Sequence, residues 1–128
     1  MKQSAEGNHP SAQYMLSIFY YLGKGTEKNI EEGKYWLQQS ADNAYPQALY
    51  ILSLENRDQE NDKDAYHNFH AAAQLWHAKA QFELSAFYFN GHGVEKDPTQ
   101  GIFWLKKLQN NKFWKQIIDL HLYIIMGY

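Results

Sequence analysis

The pattern of residues 2–14, KQSAEGNHPSAQY, returns at 38–50 as QQSADNAYPQALY. Gln3-Ser4-Ala5 matches Gln39-Ser40-Ala41, and Pro10, Ala12 and Tyr14 match Pro46, Ala48 and Tyr50, each pair 36 positions apart. A third copy starts at Ala80, 32 residues beyond Ala48, and Leu-Ser follows each alanine at Leu16-Ser17, Leu52-Ser53 and Leu84-Ser85. Over 68 residues Gly33-x-x-Trp36-Leu37 is carried to Gly101-x-x-Trp104-Leu105, and 36 residues beyond Leu84 and Gly91 stand Leu120 and Gly127. A unit of this length cannot bury an apolar face alone, so successive units must stack. The period predicts a single domain over 1–128, with units at approximately 5–41, 42–73 and 74–109 and a partial unit at 110–128.

Each unit carries two helical patterns. Ala12, Leu16 and Phe19/Tyr20 fall on one face of the first helix, as do Ala80, Leu84 and Phe87/Tyr88, and that face packs inward. The second helix opens at Asn29, Asn61 and Asp97, whose side chains can accept the orphan N–H groups of a helix start. Glu32 and Gln100, three residues on, suit the reciprocal half of a capping box, and Pro98 stands at the first helical position, where its missing donor costs nothing. Between the helices, Gly23-Lys24-Gly25 and Gly91-His92-Gly93 supply the positive φ angles that end one helix and turn the chain back. No strand pattern precedes either Gly-x-Gly and no Gly-Lys-Ser/Thr follows, so a turn is read in preference to a phosphate cradle.

With 45% hydrophobic and 16% aromatic residues in 128, the chain can bury a core as one unit. The 12 Lys+Arg against 14 Asp+Glu leave a net charge of -2, which supplies no field for a polyanion, and no nucleic-acid partner is expected. With no cysteine there is neither a disulfide framework nor a thiolate metal site, and the redox compartment stays open. The apolar run IIDLHLYIIMGY is interrupted by Asp119 and His121 and falls short of the roughly 20 residues that span a bilayer, so no membrane insertion is expected. Repeat-like sequence follows Met1 at once, leaving no room for a signal peptide. That favours the cytoplasm, and a periplasmic location would require that a leader has been removed.

AQYMLSIFYYLGKG at 12–25, AQFELSAFYFNGHGVEKDPTQGIFWL at 80–105 and the Trp36 segment resemble the Sel-one-like repeat (SLR) family, relatives of the tetratricopeptide repeats. The resemblance covers essentially the whole chain. It implies an all-α fold, a right-handed α/α superhelix of about three antiparallel helix pairs plus one terminal helix. It also implies an adaptor that holds other proteins, with no catalytic residues and no cofactor. The family's usual Gly after the Leu is Ser at 17, 53 and 85 and His121 in the last unit, and its usual Ala is Gly at 33 and 101; local adjustment of packing is expected. The second unit departs further: it is four residues short, lacks Gly-x-Gly and carries ENRDQENDKD at 55–64. Glu55 and Asn56 replace the aromatic pair of 19/20 and 87/88, and Asn68 replaces the Trp, so this unit is expected to be the least well packed.

Candidate chemistry is sparse. His67-x-x-His70 and His77 are the only clustered imidazoles; without cysteine, and unlike a His-Glu-x-x-His helix, they read as surface histidines rather than zinc ligands. Asp58, Glu60, Asp62 and Asp64 alternate like calcium-loop ligands, but the central Gly and the terminal bidentate Glu are missing. No Gly-x-Ser-x-Gly and no cysteine nucleophile is present, so the usual covalent mechanisms lack their residue and catalysis has little footing, a metal-dependent hydrolase on His67, His70 and His77 being the enzyme alternative. Lys106, Lys107, Lys112 and Lys115 form a small basic cluster that, beside Phe113 and Trp114, imitates a nucleic-acid surface but reads as solubilising charge. Trp36 and Trp104 hold repeat positions and read as core.

The first helix of unit one is apolar nearly all round, only Gln13 and Ser17 breaking it. Once the inward face and the repeating Tyr14/Tyr50/Phe82 position are assigned to packing, a strip remains at Met15, Ile18 and Leu22, continued by Ile51 and Leu54. In unit three the same positions are Glu83, Ala86 and Asn90, so the fold itself does not require apolar residues there. The strip is either a ligand surface on the concave side, where first helices lie, or the cover of a further repeat or dimer contact. The expected function is a non-catalytic protein-binding scaffold or adaptor that takes a protein or peptide on Met15, Ile18, Tyr21, Leu22, Ile51, Leu54, Glu83 and Phe89. A bacterial inhibitor or immunity-type protein is one alternative. A fragment of a longer structural solenoid, self-associating through its terminal faces, is the other.

Overall fold

The structure, a computed structural model, describes residues 5–126, with 121–126 described by backbone only. Gln3-Ser4 and Gly127, members of the sequence matches, lie outside the described residues. Among the described residues, seven helices of nearly uniform length follow one another from Pro10 onward: α1 Pro10–Leu22, α2 Ile30–Asp42, α3 Pro46–Asp58, α4 Asp62–Gln74, α5 Ala78–Asn90, α6 Pro98–Gln109 and α7 Trp114–Met126. Among the described residues there is no strand. α1 packs on α2, α3 on α4 and α5 on α6; α2 against α3 and α4 against α5 join the pairs, and α7 rests on α5 and α6. The result is an all-α helical-repeat superhelix.

The helix ends form where the sequence signals stand. Asn29, Asn61 and Asp97 accept the N–H of Glu32, Asp64 and Gln100 at 3.2, 3.4 and 3.3 Å, contacts each contributing about 1 kcal/mol. The reciprocal half differs from expectation: the N–H groups of Asn29 and Asp97 donate to the carbonyls of Tyr20 and Tyr88, both at 2.9 Å. The preceding helix thus takes the donor that a capping-box side chain would have taken, and locks the turn to its own end. Gly23 and Gly91 close α1 and α5 in left-handed conformation at φ 71°. The turns between successive units also pass through left-handed backbone, here at Asn8, Ala44 and Trp76, with φ of 63°, 60° and 64°.

The middle unit corrects the expectation that it packs least well. The largest buried cluster runs through it, from Leu37 and Ala41 over Ala48, Leu49 and Phe69 to Leu84 and Trp104. The Phe69 ring is fully buried and meets Phe87 edge-on at 5.2 Å. Asn56 and Asn68, which replace an aromatic and the Trp, find each other: Asn68 Nδ2 donates to Asn56 Oδ1 at 2.9 Å. Two polar replacements made together satisfy one another, whereas either alone would leave an amide without a partner. Ser17, Ser53 and Ser85 bond within their own helices, to the Tyr14, Leu49 and Phe82 carbonyls, whereas the buried Ser40 of α2 donates across to the Pro10 carbonyl of α1. Buried glutamines tie units together: Gln13 Nε2 donates to the Ala5 carbonyl at 2.9 Å while its Oε1 accepts from Asn43, and Gln81 repeats this with Ala73 and Asn111.

Candidate partner-binding surface

The first helices α1, α3 and α5 are connected by named contacts. Tyr14 and Tyr21 of α1 pack on the same core as Ile51 and Leu54 of α3. Between α3 and α5, Arg57 Nη1 donates to Glu83 Oε2 at 2.8 Å in a partly exposed ion pair, worth at most about 1 kcal/mol.

On this row the strip residues divide. Met15 is 43% and Leu22 63% exposed, and Ile18 is half-buried. Ile51 and Leu54 are half-buried with part of their surface against the core, because the helices on either side of α3 close over it. Glu83 is held by Arg57. Tyr21 and Phe89, 68 positions apart, share a role that the sequence reading missed. Their rings pack on Gly33 and Gly101 of the partnering helix, where an added Cβ would meet ring carbons at 3.1 Å and 2.8 Å. The signal was present: each aromatic is paired with a glycine at the same spacing, and unit two changes both, to Arg57 and Ala65.

The electrostatics at this end of α1 and α3 disfavour charge. Burial first, then the nearby carboxylates of Glu55 and Glu31, raise the Tyr21 hydroxyl above its ordinary range. Burial likewise raises the Glu55 carboxyl, against the lowering effect of Lys34. Tyr21 Oη is buried without a hydrogen-bond partner among the described residues.

The other candidate groups take ordinary places. His77 caps α5 by accepting the Ala80 N–H at Nδ1 and pairs through Nε2 with Gln47 at 2.7 Å; His70 meets Trp104 edge-on at 5.7 Å. Among the described residues no group of three or more His, Cys, Asp or Glu is placed to hold a metal ion. Asp62 and Asp64 stand in the first turn of α4. Trp36 and Trp104 are buried, as their repeat positions imply. Among the described residues no helix is long and apolar enough to cross a membrane.

Comparison with known proteins agrees with this architecture. The Sel1 repeat model matches residues 10–45 and 78–108, more than half of the chain. A solved Sel1 repeat protein from Oxalobacter formigenes superposes with a TM-score of 0.83 at 28% identity, over 92% of this chain and 93% of that one. A protective antigen present in uropathogenic Escherichia coli strains, displaying an SLR fold, superposes with a TM-score of 0.73 at 28% identity, over 85% of this chain and 24% of its own. Chitin synthase regulatory factor 2 of Schizosaccharomyces pombe is 29% identical over 103 residues, 76% of this chain, which spans 20% of that relative's length. The repeat that the sequence spells at 36, 32 and 68 residues is thus a Sel1 repeat, and the chain belongs to the Sel1 repeat family.

Proposed function

We propose that this protein is a non-catalytic binding scaffold, an adaptor that takes a partner protein or peptide on the apolar strip of α1 and α3. Sel1 repeat proteins are typically protein-interaction scaffolds, and the fold is generally non-catalytic. The observation that carries the reading is the contrast between units: Met15 and Leu22 stand open on α1, while α5 carries Glu83 and Asn90 at the same positions. Apolar surface that the repeat does not require is the kind that partners bury. Met15, Ile18 and Leu22 supply the contact, Ile51 and Leu54 its half-buried floor, and Tyr21, Glu83 and Phe89 border it. The Schizosaccharomyces pombe relative is by name a regulatory factor, a role that binding fulfils without chemistry of its own.

The test is an affinity capture from native extract with wild type and a Met15→Glu/Leu22→Glu variant, chosen because these two side chains are the most exposed of the strip. A protein retained by wild type and lost by the equally helical variant supports the reading. Equal capture by both would remove the strip from consideration.

A further inference from the structure

A second feature lies between the second helices, away from the strip. α4, α6 and the turn between α4 and α5 enclose an open cavity of about 450 Å³, whose walls include His70, Gln74, Trp76, Gln100, Phe103 and Lys107. The Lys107 Nζ stands 5.2 Å from the Phe103 ring, 5.5 Å from Trp76 and 5.8 Å from Trp104. Three aromatic faces hold the ammonium by attraction to their ring electrons. Among the described residues no carboxylate forms an ion pair with it.

The repeat shows that the fold does not demand this arrangement. In the groove one unit earlier, the positions of Phe103, Trp104 and Lys107 are His67, Asn68 and Ala71, and that of Trp76 is Ala44. Trp76 is also the costliest of the residues at its turn position. At φ 64° it adopts left-handed backbone that bulky side chains rarely accept, yet the residue is 53% exposed. Strain kept for an exposed aromatic points to function rather than packing. Phe103 beside it is 46% exposed.

We infer that this groove is a second docking site, which takes an extended acidic segment of a partner protein, one carboxylate pairing with Lys107 while the chain lies against Trp76 and Phe103. Charge complementarity selects the occupant: the pocket carries one cation and no anion among the groups that line it, and the amides of Gln74 and Gln100 can donate to the carboxylate or to peptide carbonyls. Burial lowers the pKa of His70, with the neighbouring His67 acting in the same direction, so His70 is neutral near pH 7 and donates without adding charge. The rings that shield Lys107 also lower the local dielectric, which strengthens an ion pair formed there.

The experiment is an NMR titration that follows the indole N–H signals of Trp76 and Trp104. The probes are acetyl-Glu-Glu-Phe-Glu-Glu-amide and its all-Gln counterpart. Saturable shifts with the Glu peptide, about tenfold weaker with the Gln peptide and in Lys107→Gln, and weakening as salt rises, are expected. Trp76→Asn, which places at this turn the residue that unit one uses at Asn8, keeps the fold and loses the binding; the Trp104 signal reports it. Met15→Glu/Leu22→Glu leaves the titration unchanged, so this site and the α1/α3 strip fail independently. No saturable shift in wild type, or equal affinity for both peptides, overturns the proposal. So does tetramethylammonium binding seen solely in Lys107→Gln, which would make the groove a cation cage that the protein fills with its own lysine.

Discussion

The ring of Tyr21 lies against the backbone of Gly33, with three adjacent ring carbons each 3.1 Å from the place a Cβ would take. Phe89 on Gly101 is tighter, at 2.8 to 2.9 Å, while unit two carries Arg57 and Ala65 at these positions. In both cases a missing methyl lets an aromatic close the gap between paired helices. Gly101→Ala should therefore destabilise the protein by about 1–3 kcal/mol, although alanine is the better helix former by about 1 kcal/mol. Chemical denaturation of Gly101→Ala, Phe89→Leu and the double variant tests this. The double variant should be more stable than the sum of the single losses implies.

Gly25 and Gly93 occupy the same turn position with φ of 70° and 66°, yet a Cβ on Gly93 would collide with the Asp62 carbonyl and one on Gly25 would meet nothing within 4 Å. Left-handed strain is common to both and costs about 1–2 kcal/mol on substitution. Gly93→Ala must in addition push α4 away from the turn. Its loss in denaturation free energy should exceed that of Gly25→Ala by about 1–3 kcal/mol; equal losses would show that the turn yields without disturbing α4.

Gln13 with Asn43 and Gln81 with Asn111 are repeated polar ties, and unit two replaces both positions by Leu49 and Leu75. Removing Gln13 takes one hydrogen bond from Asn43 Nδ2, which keeps the Gln39 carbonyl, and one from the Ala5 carbonyl, which keeps the Asn8 N–H. Gln13→Leu should cost about 1–3 kcal/mol. Gln13→Leu/Asn43→Leu, which reproduces the unit-two pairing, should cost less than the two single changes added. Thermal and urea unfolding of the three variants read the coupling directly.

Burial of His77, and then the charge of Lys79, lower its pKa from 6.5 to about 4. The ring stacks on Tyr50 at 4.7 Å and accepts the Ala80 N–H, so protonation removes a helix cap. Because the folded pKa is depressed, the unfolded chain binds the proton first. The stabilisation is therefore complete above about pH 6.5 and is lost as pH falls towards about 4. Allowing for partial solvent access, the loss is on the order of 1–2 kcal/mol. Asparagine can still cap, so His77→Asn should flatten this part of the stability–pH curve. His70, lowered chiefly by burial as well, contributes the same slope to both proteins. Identical curves for wild type and variant would sink the assignment.

Local conformation and period are what could be read along the chain. The helix starts at Asn29, Asn61 and Asp97, the glycine stops, the paired helices and the buried Trp36 and Trp104 were all legible there. Each follows from groups a few residues apart, or from one unit repeating another. The exposed Met15 and Leu22 were legible for the same reason, since helical periodicity places them off the inward face.

Tertiary structure alone decided which residues meet across helices. Asn56 finds Asn68, so the unit that looked weakest encloses the largest cluster. Ile51 and Leu54 turn part of their surface to the core, and Lys107 comes among rings supplied by its own helix and by the turn after α4. These relationships depend on the distance between stacked helices, which side chains from several units set together through close packing. A residue's identity gives its chemistry; the partner that chemistry meets is chosen by the stacking.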